Sequence, residues 1–478
     1  VPIILEVRSV PFPPVGFDYY IGPTGSDSNT GTSAQPWAIT TLLDPANSHA
    51  TTAGKSNYNL IAGKKVGVLP GTYNIGGYVD TTVVNDTNPI LNIPGGNPYA
   101  NTVIQSTTPR GALFDGANTI GGGAGQYAPC IGSSDTRAPN GYVTIDGFEI
   151  QNFNGGGVNC WHVTGTGNCL LIQNNHIHGI STTVQGGNPG HIRGQSWFNA
   201  TITNNKIHDY GSNVETNNGA LGGIVFYYGA LVTVSYNYVY NVQSGIHGKG
   251  SGGSNDNHGC TVCYNWVEAL QGESTGIKDF SSTFSGYTSY FHHNVVNANN
   301  PFVHGGVGST HSLDSQATVC YNNSFYFNGG DGGGGFCYIG TTVSGGINFY
   351  NNVLQLTGVT NGFIGEFAIV NGTLGLSDYN CYTASASSVA CLAAGSSAVW
   401  TSSPTLYTLS GWQTLNGTDA HSIAADNVLN SPTTGTLSSY QPASGSAILN
   451  AGRVGGTSAG VLINMGAFDG TGTPGCNF

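Results

Sequence analysis

Thr201-Ile202-Thr203-Asn204-Asn205-Lys206-Ile207 is one of seven near-copies of a single phrase. A short alternating run leads into an asparagine, one variable residue follows, and then an aliphatic or aromatic residue. The other copies place their asparagine at Asn175, Asn237, Asn265, Asn294, Asn323 and Asn352, so the successive intervals are 30, 32, 28, 29, 29 and 29 residues. Gly147-Phe148-Glu149-Ile150 reads as a weaker copy beginning 28 residues before the first asparagine. Repetition at such a period marks a stacked architecture, in which each unit buries its apolar face against the next.

Each unit contains three short alternating runs. Val232-Thr233-Val234 precedes an asparagine, Tyr238-Val239-Tyr240 follows it, and a third run follows a glycine, as in Gly245-Ile246-His247 and Gly276-Ile277-Lys278. Pro301-Phe302-Val303, Gly335-Phe336-Cys337 and Gly362-Phe363-Ile364 read as further copies of that third run. Period-two alternation of β-branched and aromatic residues, cut by Gly, Asn and Ser, predicts strands joined by turns rather than helices. The expected fold is all-β, a single-stranded right-handed parallel β-helix of about 28–32 residues per coil. The repeated asparagine is expected at a bend, where it tolerates the left-handed region, bonds locally and ladders between coils.

Composition narrows the class. Only 7% of the 478 residues are charged and 75 are glycine, which alone would suit a disordered chain, yet 25 Tyr, 19 Phe and dense alternation argue for a folded one. Net charge is −12 with 11 Lys plus Arg and no basic run, which excludes nucleic acid as a partner. No stretch reaches the length of an apolar membrane span. The expected organisation is an extended arm over 1–17, a cap and first irregular coils over 18–140, regular coils over 141–382, and irregular coils with a cap over 383–478. The proline-stiffened arm at 1–16 is expected either to cap the first coil or to dock on a neighbouring protein subunit by strand addition, which would suit a homo-oligomer. Ten cysteines, with the local intervals Cys160/Cys169, Cys320/Cys337 and Cys381/Cys391, suggest disulfide clasps and an extracellular, virion or cell-surface setting. Cys260 and Cys263 form a C-x-x-C without the second pair that a zinc site needs.

The opening Asp18-Tyr19-Tyr20-Ile21-Gly22-Pro23-Thr24-Gly25-Ser26-Asp27-Ser28-Asn29 resembles that of secreted and tailspike-type members of the pectate-lyase-like right-handed parallel β-helix superfamily. So do Trp412 with Asp419-Ala420-His421-Ser422-Ile423, Ser446-Ala447-Ile448-Leu449-Asn450-Ala451-Gly452 and Met465-Gly466-Ala467-Phe468. The resemblance runs over about 18–470. It implies the fold but leaves the activity open, because the superfamily holds lyases, hydrolases, epimerases, tailspikes and adhesins.

Two surfaces are candidate sites. Laying the glycine runs in register puts His247 and Lys278 side by side on an outward column, with Lys249 one pleat away, Tyr227 before them and Glu366 three coils later. Lyases of the resembled superfamily use a Lys or Arg base with calcium held by acidic side chains. Lys249, Lys278 and His247 are therefore the candidate catalytic residues, with Asp279, Glu268 and Glu273 as candidate Ca2+ ligands. A lone outward lysine is more commonly just solvated, and the scarcity of cations argues against a groove for an anionic polymer. A hydrolytic carboxylate pair on neighbouring coils is not evident.

The second surface follows the asparagine. One column runs His178, His208, Tyr240, Glu268, Asn297, Tyr326 and Gln355, beside His176, Lys206, Tyr238 and Trp266. Such rings with amides and carboxylates suit stacking and hydrogen bonding of a neutral glycan, so His178, His208, Tyr238, Tyr240, Trp266 and Tyr326 are the carbohydrate-binding candidates. Pairing across coils, or contact with another subunit, would account for the same rings. Taken together the sequence points to a surface, adhesive or virion-type structural β-helix, with a polysaccharide lyase as the alternative.

Overall fold

The computed structural model describes residues 16–43, 56–78, 89–117, 129–133, 141–153, 155–161, 163, 169–180, 190–210, 222–249, 257–270, 274–279, 286–304, 317–327, 335–339, 347–356, 365–370, 374–384, 390–393 and 405–468. They fall in two compact units, Val7–Thr233 and Val234–Cys476. The arm at 1–15 and Glu273 lie outside the described residues.

In the unit ending at Thr233, the strands that precede the asparagine corner form a parallel sheet running through Tyr19–Ile21, Lys65–Val68, Thr102–Ser106, Val143–Asp146, Leu170–Gln173 and Ala200–Thr203. Those that follow it, Gly71–Asn74, Ala112–Asp115, Glu149–Gln151, His176–Ile180 and Lys206–Tyr210, form a second parallel sheet. The glycine strands Leu91–Asn92, Ile131–Ser133, Val158–Trp161, Gly190–Gln195 and Gly222–Tyr227 form the third. Each coil thus contributes one strand to each sheet, which is a parallel β-helix. The unit beginning at Val234 repeats the pattern, and its glycine sheet ends with an antiparallel strand, Thr405–Tyr407.

The register stacks like on like. Ile145, Ile172 and Ile202 pair in one sheet, Ile150, Ile177 and Ile207 in the next, and Val158, Ile192 and Ile224 in the third. All nine are fully buried. In the other unit Val239, Val267, Val296, Phe325 and Leu354 form a corresponding inward column. Each such side chain contributes roughly 1.5–3 kcal/mol of burial, and a one-residue slip would turn every one of them outward.

The repeated asparagine behaves differently from expectation. The left-handed residue is the one before it: Asn174, Asn204, Tyr236, Tyr264, His293, Asn322, Asn351 and Tyr379 have φ between 53° and 58°. The ladder asparagine itself is buried, and its amide closes the corner. The Asn265 side-chain oxygen accepts from the Asn237 backbone N–H and amide at 3.0 Å each, while its own Nδ2 donates to the Val234 and Cys263 carbonyls and to Asn294. Asn294, Asn323, Asn352 and Asn380 repeat this, and Asn175 and Asn205 do so in the other unit. The amide groups of the ladder asparagines are thereby satisfied in a dry corner. Bulky residues tolerate the left-handed position because they stack: Tyr236 on Tyr264 with centroids 4.9 Å apart, and Tyr264 on His293 at 4.6 Å.

Two alignments read from the sequence shift by one or more residues. His176 pairs with Glu149 and Ile177 with Ile150, so Phe148 holds the ladder position and Gly147, with φ 78°, holds the left-handed one. Among the glycine strands, Phe302 pairs with Cys337 and Cys337 with Phe367, so the last two copies were anchored on the wrong residues. The Lys278 column continues through Val303, Tyr338 and Ala368 and does not include Glu366.

The expected disulfide clasps are absent. Cys160, Cys169, Cys320 and Cys381 are free thiols, as are Cys130, Cys260 and Cys263, and all seven are buried. They serve as small apolar core residues. Cys337 and Cys391 have side chains outside the described residues. Burial pushes the Cys160 thiol up to about 11 and Cys263 to about 12, and lifts Cys130 and Cys320 well above the usual range. Little thiolate exists at neutral pH, so these thiols are expected to resist a water-soluble disulfide reagent until denaturant is added. Mass-spectrometric mapping of native labelling checks this, and rapid native labelling of Cys160 or Cys320 would contradict the described core.

Candidate functional site

The outward face of the post-asparagine sheet differs sharply between the two units. In the unit ending at Thr233 the inward residues Ile150, Ile177 and Ile207 force their neighbours out. Glu149, His176 and Lys206 align in one outward column, and Gln151, His178 and His208 in the other. Asp115 extends the second column, paired with Gln151. Three imidazoles from two coils and two carboxylates therefore meet on one patch.

The patch is tightly connected. His178 Nε2 lies 3.1 Å from Glu149 Oε1, and His176 Nδ1 lies 3.8 Å from the same oxygen. His176 Nε2 meets His208 Nε2 at 2.7 Å, and His208 Nδ1 meets Asp209 Oδ2 at 2.8 Å. The His178 and His208 rings stack at 5.1 Å, within 6° of parallel. Behind them buried His191 places Nε2 2.9 Å from the His208 carbonyl oxygen, fixing that strand. Glu149, His176 and His178 keep 30%, 19% and 21% of their side chains exposed.

Burial keeps two of the imidazoles, His176 and His208, neutral. Burial, then the neighbouring His178, His208, Lys206 and Arg110, press His176 down to about 3. Burial also lowers His208, although Asp209 opposes it. Asp115 falls below the usual carboxylate range: its own burial works against ionisation, and bonds from the Ala117 N–H, Asn152 and Gln151, with nearby His178, outweigh it. At neutral pH His176 and His208 therefore offer neutral rings and nitrogen lone pairs beside the Asp115 carboxylate.

In the unit beginning at Val234 the same face is covered. The expected columns hold in register, Tyr238 against Trp266, and Tyr240 against Glu268, Asn297, Tyr326 and Gln355. Exposed they are not: Trp266 and Tyr326 keep only 8% and 9% of their surface, Glu268 none. The C-terminal segment lies on them, with Leu437, Tyr440, Ala467 and Phe468 packed against Trp266, Val295, Tyr326 and Tyr238. Glu268 receives the Tyr440 hydroxyl at 2.9 Å, the Tyr238 hydroxyl at 3.0 Å and the Gly435 N–H at 3.0 Å. Half-buried Tyr238 and Tyr240 stack at 4.7 Å. A contiguous apolar stripe is costly in water, and this chain covers it with its own tail.

The lysine region is only partly as expected. His247 and Lys278 are register neighbours, but His247 is buried, while Lys249 and Lys278 are half-exposed. Glu268 stands on another sheet from Asp279, beneath the tail, with its carboxyl engaged by Tyr440, Gly435 and Tyr238. Asp279 ends the strand Thr275–Asp279, and its side chain lies outside the described residues. The sequence reading gathered His178, His208 and His176 but missed Glu149 and Asp209 as their partners. The His-x-His at 176/178, two residues on one strand and hence on one face, was the available signal.

No family model matches the chain and no curated protein matches it. Among solved structures it is similar to pectate lyase Pel9A, at 14% identity over 94% of this chain and 96% of that one, with a TM-score of 0.47. It is also similar to XylC in complex with xylose (11% identity, 74% and 84% covered, TM-score 0.37) and to a rhamnogalacturonan lyase (14%, 75% and 87%, 0.31). With three parallel sheets and one strand of each per coil, the chain has a parallel β-helix fold.

Proposed function

We infer that this β-helix is a glycan-binding scaffold of a cell or particle surface, and that it holds a neutral sugar on the patch of Asp115, Glu149, Gln151, His176, His178 and His208. The observation that carries the reading is the partly exposed pair His176 and His178, stacked against buried His208 and flanked by carboxylates and an amide. Sugar C–H faces pack on ring faces, and sugar hydroxyls donate to carboxylates or accept from amide and imidazole N–H groups. Lys206 is the cation in these two columns, which favours a neutral glycan over a polyanion. The low charge of the chain suits an adhesive surface.

A second reading, polysaccharide lyase, is favoured by half-exposed Lys278 adjoining His247 across neighbouring coils. One experiment separates the two. The chain is titrated, with chelator present, against a panel of neutral oligosaccharides and uronate polymers, while absorbance of unsaturated ends is followed. Saturable binding of a neutral glycan, weakened about tenfold or more in His178→Ala, is expected if a ring contact of roughly 1.5 kcal/mol is lost. Unsaturated product that vanishes in Lys278→Ala would establish the lyase instead, and binding unchanged in His178→Ala would sink the patch as the sugar site.

A further inference from the structure

The geometry points to a site for a transition-metal dication of the zinc class, held by Glu149 Oε1, His176 Nδ1 and His178 Nε2, with one coordination position open to solvent. Oε1 lies 3.1 Å from His178 Nε2 and 3.8 Å from His176 Nδ1, and ligand atoms of the three residues all fall within 4.8 Å of one another. Tetrahedral zinc with bonds of 2.0–2.1 Å places its ligands about 3.3 Å apart, so small side-chain rotations close the set. Backbone register holds the three donors, because Glu149 and His176 are direct cross-strand neighbours and His178 is two residues along the same strand.

The hydrogen-bond chain behind the site fixes which nitrogen carries a lone pair. The Asp209 carboxylate only accepts, so His208 Nδ1, 2.8 Å away, carries its proton. The neutral His208 ring then has a bare Nε2, which accepts from His176 Nε2–H at 2.7 Å. That leaves His176 Nδ1 unprotonated and turned toward Glu149 Oε1, two acceptors facing each other. A dication between them would relieve the confrontation. Asp209 and His208 are thus positioning residues, a carboxylate–histidine relay that orients a metal-binding imidazole. His178 Nε2 bonds to Glu149 in the metal-free protein, and its proton moves to Nδ1 or to solvent when the metal binds.

Donor chemistry selects the ion. Two imidazoles and a single carboxylate suit zinc, cobalt, nickel or copper, whereas calcium requires six to eight oxygens. The partial exposure of Glu149 and His178 leaves room for water or a ligand at the fourth position. This site stands without the glycan reading, since its test contains no sugar.

The test uses the full chain after chelator dialysis. Calorimetric titration with Zn2+ and separately with Ca2+ is followed by Co2+ titration read from the visible spectrum. One Zn2+ per patch at micromolar affinity or tighter, negligible heat from Ca2+, and a four- or five-coordinate Co2+ spectrum displaced by Zn2+ are expected. His178→Ala and Glu149→Gln should abolish that spectrum, Asp209→Ala should weaken Zn2+ about 10–100-fold, and His421→Asn should leave it unchanged. Circular dichroism melts confirm that each variant is folded, and the wild-type Co2+ spectrum decides the question should His178→Ala fail to fold. Zn2+ bound no better than Ca2+, a six-coordinate aquo-type Co2+ spectrum, or an unaltered titration in folded His178→Ala would overturn the site.

Discussion

Asp419→Ala is expected to destabilise the unit beginning at Val234 by about 3–5 kcal/mol, read as a lower denaturant midpoint. The asparagine ladder ends on this residue. Asn380 Nδ2 donates to Asp419 Oδ1 at 3.1 Å, and Asn380 N–H donates to the Ser422 hydroxyl, which itself donates to Asp419 at 2.6 Å. Ser377 Oγ at 2.6 Å, Trp412 Nε1 at 3.0 Å and the Tyr382 hydroxyl at 3.3 Å complete the shell of a fully buried carboxylate. Alanine removes the acceptor and strands these donors in a dry interior, each at a cost of about 1–3 kcal/mol before relaxation. It also puts a residue with no local hydrogen bond at φ 56°, a backbone state that aspartate and asparagine tolerate better. Asp419→Asn keeps an acceptor and that conformation, so it should lose clearly less. Equal midpoints for Asp419→Ala and the wild type would show that the ladder does not need its terminus.

Glu268→Ala is expected to release the C-terminal segment from the post-asparagine sheet, with faster proteolysis after Leu429 and a change in Trp266 fluorescence. Its carboxyl joins the sheet to the segment through Tyr440 and Gly435, and it also accepts from Tyr238. Loss of the acceptor orphans these donors at about 1–3 kcal/mol each, whereas the apolar packing of Leu437 and Ala467 remains. Glu268 also predicts a pH effect. Burial raises its pKa above the ordinary 4.5, against the opposing bonds from Gly435, Tyr440, Tyr238 and Trp266. A carboxyl raised on folding contributes stability that is complete below its unfolded pKa and is lost as pH rises through the folded value. Docking of the segment should therefore weaken as pH climbs from below 4.5 through that raised value, and Glu268→Gln should flatten the profile. Proteolysis of wild type that slowed with rising pH over that window would have the wrong sign for this account.

These two residues show how far the sequence carried. Asp419 stood in a recognisable C-terminal phrase with Trp412, but its role as the ladder's last acceptor depends on Asn380, 39 residues earlier. Glu268 sat correctly in the outward column, and the periodicity could not say that the column would be covered. The ladder asparagines were legible because each repeats one local corner, while the left-handed conformation was assigned one residue late. Periodicity fixes the order of residues along a coil but not which of two adjacent ones turns the corner.

The sequence by itself determined the coil, the ladder and the outward columns, because a parallel stack repeats one set of local requirements at every turn. Tertiary structure alone decided what those columns face. The hydrogen bonds that hold the covering segment to Asn297 and Glu268 come from Tyr440, 143 and 172 positions away, and no repeat encodes so distant a partner. It also decided that seven of the cysteines are buried core thiols, since pairing depends on distance and direction in space and not on interval. And it brought Glu149, His176, His178 and His208 from three coils onto one patch, where the charge and lone pairs of one residue set the state of the next.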